Sequence, residues 1–537
     1  MKRIRPNGIA LLTLLAALLA PGLARAADVN EVATGFTKNN PYDVRFKFSY
    51  EAIIKKTSLN REYMGNAAGI DVVKDLVYQQ VTHVLHMSLE LAVYKDFALY
   101  VGLPVILGQK AKYGFASGDR YHGYNTEQQC RDAHAGEEWV CNPDGVNGNN
   151  SRFVQDGLAA GLTGFGYSSG GWDGPLISDD PATEPDPSNV NAVYFPSEYR
   201  VGAGVAGPRS LWEGRSRSGI DQLHIGLHGL IFSQKRHPAY PDWRFGVEFR
   251  LAVGKVMDFE RDHAGDTTCG AASLNRWNCR PELNKAVGRG VHEIRFFTTA
   301  SKLAKLWKNG GIDSFIHIFF QMPIAYKSDS FYSNKYDFSA DFGEESKSPL
   351  MKAPMKAGIH FGGEFVMFQD KVKGHKITFE LTGMLEGHFE GRDYSEAYEL
   401  LAGSPALNLY CDQPGGTGST NASFDQFCGN QKTRNGLFYY PGITTVENFV
   451  RFGVRLGLHA QITKYAKLSI LYAFVHEQEH FLTTDDAGED YNGSGVIDIN
   501  TSELNPWHRP VIHQAGHRIR AQETLIHYIS VGLKLMF

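Results

Sequence analysis

The sequence predicts an all-β fold: a transmembrane antiparallel up-and-down barrel of about twelve strands, within a range of about 10–14. Three observations predict it. Segment after segment alternates apolar and polar side chains with period two, as a strand does with one oily and one wet face. The connections between segments fall into a short class and a long class, in alternation. Finally, no stretch after the leader approaches the about 18 consecutive apolar residues that a membrane-crossing helix requires.

The chain has 537 residues, 21% of them charged, and a formal net charge of -4, so it has no basic excess and no nucleic-acid partner is expected. Its slightly negative mean hydropathy does not exclude a barrel, because amphipathic strands average out. The N-terminus has a secretory layout. Lys2, Arg3 and Arg5 are its basic region, Ile9 to Ala20 its apolar core, and Ala24-Arg25-Ala26 its cleavage site. Residues 1–26 are therefore expected as a signal peptide, 27–41 as a short periplasmic segment, and 42–537 as one barrel domain.

The first strand, "YDVRFKFSYEAII", puts Val44, Phe46, Phe48 and Tyr50 on one face and Arg45, Lys47, Ser49 and Glu51 on the other. "VTHVLHMSLELAVY" follows, and a tight Lys95-Asp96 connection leads to "FALYVGLPVIL", where Pro104 faces inward and implies a ladder irregularity. Then come "DQLHIGLHGLIF", "DWRFGVEFRLAVG", "HEIRFFTTA" and "DSFIHIFFQMPI", the last two alternating least cleanly. "AGIHFGGEFVMF", "KITFELTGMLEGHF", "ENFVRFGVRLGLHA", "KLSILYAFVHE" and "HYISVGLKLMF" complete the set. Short connections are expected at 95–96, 233–242, 301–312, 370–375 and 463–466, and long ones at 55–80, 109–219, 255–290, 326–355, 392–445 and 482–517. Aromatic residues gather at the short-turn ends: Tyr94, Phe97, Trp243, Phe368 and Phe537.

By its leader, its amphipathic strands and its terminal Phe537 with Leu535 and Leu533 at alternate positions before it, the chain resembles a Gram-negative outer-membrane β-barrel protein of the porin and transporter type. The resemblance implies a bacterial outer-membrane location, both termini in the periplasm, membrane lipids as surroundings, and Phe537, Leu535 and Leu533 as the signal read by the barrel-assembly machinery. The long-chain fatty-acid transporter group begins with an Asn-Pro-Ala hatch motif; "NNPYDV" here matches only Asn-Pro.

Six cysteines fit an oxidising compartment, and the close pairs Cys130/Cys141, Cys269/Cys279 and Cys411/Cys428 are expected as disulfides that staple three long connections. Inward-facing charges carry the functional hint. They are Arg244, Glu248, Arg250, Glu364, Glu380, Glu386, His388, Glu390, Arg451, Arg455 and Lys534, with Arg45, Lys47, Glu51 and His459 beside them. Charges facing the inside of a barrel imply water or paired ions. They describe either a mixed-charge pore for small hydrophilic solutes or a cross-strand ion ladder, Glu386 and Glu390 with Arg451 and Arg455, that closes the interior of a binding or structural barrel.

Catalytic readings fare worse. "HEQEH" (His476 to His480) has zinc-protease spacing, but on a strand residues four apart lie roughly 13 Å from each other. His224 and His228 fail on the same ground. "GYSSG" (Gly166 to Gly170) lacks the strand–turn–helix context of a nucleophile elbow. A lipid-modifying barrel would need a nucleophile beside His83 or His527, and no motif supplies one. The acidic loop Asp486 to Asp498 offers Asp490, Asn492, Ser494 and Asp498 as calcium ligands, with glycine standing where the first ligand belongs. No catalytic residue, metal or cofactor is expected.

Overall fold

Twelve antiparallel strands close on themselves in chain order, so that every strand has two hydrogen-bonded neighbours. The computed structural model describes residues 30–35, 42–64, 70–115, 210–213, 216–234, 236–257, 286–307, 310–330, 332, 353–370, 373–401, 409–410, 437–438, 442–484, 490, 492–496, 510–513 and 515–537. The three expected disulfides, Cys130 with Cys141, Cys269 with Cys279 and Cys411 with Cys428, all lie outside the described residues. The staves are β1 (Val44–Met64), β2 (Ile70–Tyr94), β3 (Phe97–Phe115), β4 (Gln222–Phe232), β5 (Asp242–Ala252) and β6 (Val291–Trp307). They continue with β7 (Gly310–Tyr326), β8 (Lys356–Asp370), β9 (His375–His388), β10 (Phe449–Gln461), β11 (Ala466–Glu477) and β12 (Ile519–Met536). Short strands extend some staves upward, among them Ser210–Glu213 and Arg217–Ile220 beside β3 and His480–Thr483 beside β12.

The seam is the pairing of β1 with β12, which runs from Arg45 opposite Met536 to Arg61 opposite Ile519. Val44 and Phe537 exchange backbone hydrogen bonds of 3.1 and 2.9 Å at its lower end, where the rings of Phe46 and Phe537 meet edge to face. Closure leaves no row of unpaired amides along an edge.

Period two decides which side chains meet lipid. Phe46, Phe48 and Tyr50 on β1, Phe452, Val454, Leu456 and Leu458 on β10, and Ile529, Val531 and Leu533 on β12 all lie exposed on the outer wall. Tyr94, Phe97, Trp243, Phe368 and Phe537 are likewise exposed near the short turns, as residues of an interfacial girdle are. The turn at Lys95 places a non-glycine residue at φ 42, and just before β9 Gly374 stands at φ 76, where a β-carbon would collide with Lys464.

The expected long connection at 55–80 is a correction: β1 runs to Met64 and β2 starts at Ile70. Above the lipid boundary the outer face need not be apolar, so Thr57, Ser58, Asn60, Arg61 and Glu62 continue the ladder without continuing the pattern. The expected short turn at 301–312 is likewise mostly strand, up to Trp307 and again from Gly310. Pro104 sits where the ladder to the fourth stave slips. Gly102 pairs with His224 and Val105 with Ile220, leaving Asp221 out of the ladder to receive the backbone N–H and Nε of Arg289.

On the projecting hairpin, Glu62 accepts hydrogen bonds from Arg518 at 2.8 and 3.0 Å, from Arg520, and from the Gly516 amide at 3.1 Å. Burial would raise its pKa, but the guanidinium groups of Arg518 and Arg520 and the Gly516 amide outweigh that and hold it below the ordinary value. A depressed carboxylate contributes stability above its unfolded pKa of about 4.3, and that stability is lost as pH falls through the folded value. Amide protection factors in residues 57–63, with intrinsic exchange divided out, should therefore hold between about pH 7 and 5 and fall below about pH 4; Glu62→Gln should lessen the dependence. On the lipid face, Leu456→Arg should cost about 2–4 kcal/mol in urea unfolding of the barrel from lipid vesicles.

Candidate functional site

The interior is filled by ionised side chains that answer one another across strands. On one side Glu90 of β2 receives His228 of β4 at 3.0 Å, and Arg244 of β5 donates to the other ring nitrogen of His228 at 3.1 Å. Higher up, Arg250 donates to Glu248 at 2.7 Å with His224 at 3.6 Å, while Glu293 gathers Gln222, Gln321 and Arg289. On the opposite side His360 lies 2.8 Å from Glu386, and Arg455 and His459 both bind Glu380. Burying this many charges is costly wherever a charge is neither paired nor in water.

The expected ladder takes a different form. Arg451 stands opposite Glu386 in register, but its guanidinium bonds Glu477 on β11 instead. Arg455 stands opposite Thr382 and reaches Glu380 at 2.7 Å. Glu390 lies past the end of β9, exposed, its backbone N–H donating to Asn448, and takes no part in the ladder. His388 stacks on Phe449, and Lys534 bonds Glu31 at 2.8 Å. Sequence reading passed over Lys55, Arg295, Asp313 and His317; their signal was inward parity on the same strands.

Two segments of the chain close the ends. At the short-turn end, Asn30–Gly35 enters the mouth. Val32 and Ala33 pack on Ala98 and Leu230, Asn30 donates to the Asp242 carbonyl, Ala33 N–H donates to Glu90, and Gly35 bridges to Lys95. At the other end the chain after β9 folds inward through the helical turn α1 (Tyr398–Leu401). Glu396 pairs with Lys55 of β1, the Glu396 carbonyl accepts from Tyr113 of β3 at 2.6 Å, and Glu399 takes Arg217. Burial works against the Glu396 carboxylate, yet Lys55 outweighs it and keeps the pKa below its usual value. Tyr398 joins Met257, Val291, Tyr332, Ala353 and Ile443 in a buried apolar cluster across this mouth.

Between the two closures lies a cavity of about 240 Å³, lined by Glu51, Met384, Glu386, Arg451, Arg455, Leu471, Ala473, Tyr528 and Ser530 among others. It belongs to the β9–β12 side, where Gly453, Ala473 and Ser530 leave room.

The remaining motifs resolve as follows. In "HEQEH", the His476 ring lies against the exposed Phe452 and the His480 ring against the buried Phe449, so the two do not converge, and Glu477 is held by Arg451 and Lys55. Asp490 accepts backbone N–H groups of Ser494 and Gly495, with Gly493 and Gly495 at positive φ. These amides, that of Gly495 foremost, hold its carboxyl below the usual range, and the loop reads as a self-bonded turn. Asp498, the GYSSG stretch and the leader lie outside the described residues. So do Cys130, Cys141, Cys269, Cys279, Cys411 and Cys428, and the pairing expected of them stands as an expectation. His83 and His527 face outward, their Nδ1 atoms 2.7 and 2.9 Å from the hydroxyls of Tyr50 and Tyr472.

No family model and no curated protein matches the chain. Among solved structures, similar chains include an outer-membrane channel from Pseudomonas putida F1, at 8% identity over 96% of this chain and 100% of that one, with a TM-score of 0.30. The outer-membrane protease OmpT from Escherichia coli is 8% identical over 92% of this chain and 97% of that one, with a TM-score of 0.26. A FadL homologue from Pseudomonas aeruginosa is 8% identical over 92% and 90%, with a TM-score of 0.26. Likeness of this degree says nothing about activity. It is its own geometry, a closed wall of twelve antiparallel strands, apolar outside and ionised inside, that gives this chain the fold of a transmembrane β-barrel.

Proposed function

We propose that the protein is a gated outer-membrane channel for small hydrophilic solutes, with the short turns and both termini in the periplasm and the long connections outside. The observation that carries this reading is the cavity lined by Glu51, Glu386, Arg451, Arg455 and Tyr528, midway between two closures built from the chain itself. A solute moving there exchanges its water for carboxylates, guanidinium groups and hydroxyls, which suits polar cargo and penalises apolar cargo. Opening requires the Asn30–Gly35 segment and the segment around α1 to withdraw. Both are held by buried apolar packing together with hydrogen bonds and ion pairs that water can replace.

The alternative is a sealed barrel that binds or supports through its outer connections; the coverage of both mouths favours it. Single-channel recording of the refolded, oxidised protein in a planar bilayer separates the two. The channel reading expects brief conductance steps that become long-lived when residues 30–35 are deleted. A folded, heat-modifiable barrel that stays silent with and without the deletion would establish the sealed reading.

Neutralising the guanidinium pair with Arg451→Gln and Arg455→Gln should shift the reversal potential toward cations in a salt gradient. An unchanged potential with the barrel intact removes these two residues from the conducting path. Lys55→Met should loosen the outer closure, because Glu396 loses its ammonium partner. One charge-assisted hydrogen bond of about 1.5–3 kcal/mol corresponds to a roughly tenfold to hundredfold rise in the open-to-closed ratio.

A further inference from the structure

Four adjacent strands each turn one polar side chain toward a common point near the short-turn end of the lumen. Asp313 of β7 stands opposite Glu364 of β8, Glu364 opposite Glu380 of β9, and His459 of β10 opposite Thr378 of β9. The nearest ligand atoms of Glu364, Glu380 and His459 lie within 4.8 Å of one another, and all three residues are buried. Donors at 2.0–2.2 Å from a tetrahedral ion are about 3.4 Å apart, so small rotamer adjustments would close the set.

Two further observations point to a missing occupant rather than to a packed ion-pair network. Asp313 is 1% exposed, yet neither of its carboxylate oxygens accepts a hydrogen bond of good geometry, even from the Ser301 hydroxyl beside it. Its charged neighbours are Glu364, Lys376 and Asp242. The Thr378 hydroxyl, also 1% exposed and on the inner face of β9 beside Glu380, has no partner among the described residues either. Leaving such atoms dry and unbonded is costly. Lys376 lies 3.9 Å from Glu364, and Arg455 is bound to Glu380.

The imidazole is oriented for the task. His459 Nδ1 lies 2.9 Å from Ser469 Oγ, and its Nε2 points at Glu380 Oε2, 3.1 Å away. In the metal-free site Nε2–H donates to Glu380; an ion seated between them would take that proton's place, with Nδ1–H then donated to Ser469, the outer partner that fixes the tautomer of a metal-bound histidine.

We propose that Glu364, Glu380 and His459, with Asp313 beside them, bind one divalent transition-metal ion in the wall of the lumen. Mixed carboxylate and imidazole donors without thiolate suit zinc, manganese or iron(II) better than calcium, which takes six to eight oxygens. The site does not depend on the channel reading.

The test uses the full chain, refolded without a histidine tag, stripped with a chelator and titrated with Zn2+. One ion per chain after desalting is expected, with affinity falling at least tenfold in His459→Gln and in Glu364→Gln and unchanged in Glu248→Gln, a lumen carboxylate outside the cluster. Co2+ loading should give visible ligand-field absorption that His459→Gln abolishes. No bound Zn2+, or binding undiminished in both variants, overturns the proposal. Should a variant fail to fold, the cobalt spectrum of the unaltered chain decides: absence of the absorption overturns it.

Discussion

In a hydrocarbon layer a backbone amide cannot borrow water, so every N–H and C=O must find a partner inside the protein. The β1–β12 seam is where this chain meets that demand, since it converts an open sheet with two raw edges into a cylinder. What the interior can hold follows from the seam. Twelve staves enclose more volume than eight, too much for aliphatic side chains alone to fill, and too little for a wide aqueous bore. The chain fills that space with charge.

A charged interior of this kind is a set of local agreements rather than two opposed walls. Glu90, Glu248, Glu293, Glu380 and Glu477 each collect two or more partners, from a neighbouring strand, their own strand or the segment in the mouth, so acidic groups act as nodes. Aromatic rings cushion part of the arrangement. Arg244 lies 5.0 Å over Phe297, and Arg295 lies 4.2 Å over Phe319. The β9–β12 side, with glycine, alanine and serine among its inward residues, is where the network thins and a cavity opens.

These rings also explain what could be read in advance. β10, β11 and β12 have small or polar inner faces, so alternation exposed them at once and the twelve-strand count followed. β6 and β7 alternate poorly because Phe297, Phe315 and Phe319 point inward, which hydropathy cannot distinguish from pointing outward. Parity identified Arg451 and Arg455 as interior groups. It could not say that Arg451 would bypass the opposed Glu386 for Glu477, because a long side chain chooses among several strands. The inward fold at Glu396 to Leu401 left no trace, since it lies in a connection with no period to read.

The staves differ greatly in height. β2 has 25 residues and β5 has 11, whereas about 9–11 suffice to cross the hydrocarbon. A cylinder cut so unevenly has an oblique rim. Among the described strands, β12, β1 and β2 run well past the length that the acyl chains require, while β5 barely spans it. Lipid headgroups beside β1 and β2 would therefore meet hydrogen-bonded strand, its amides already spent on one another.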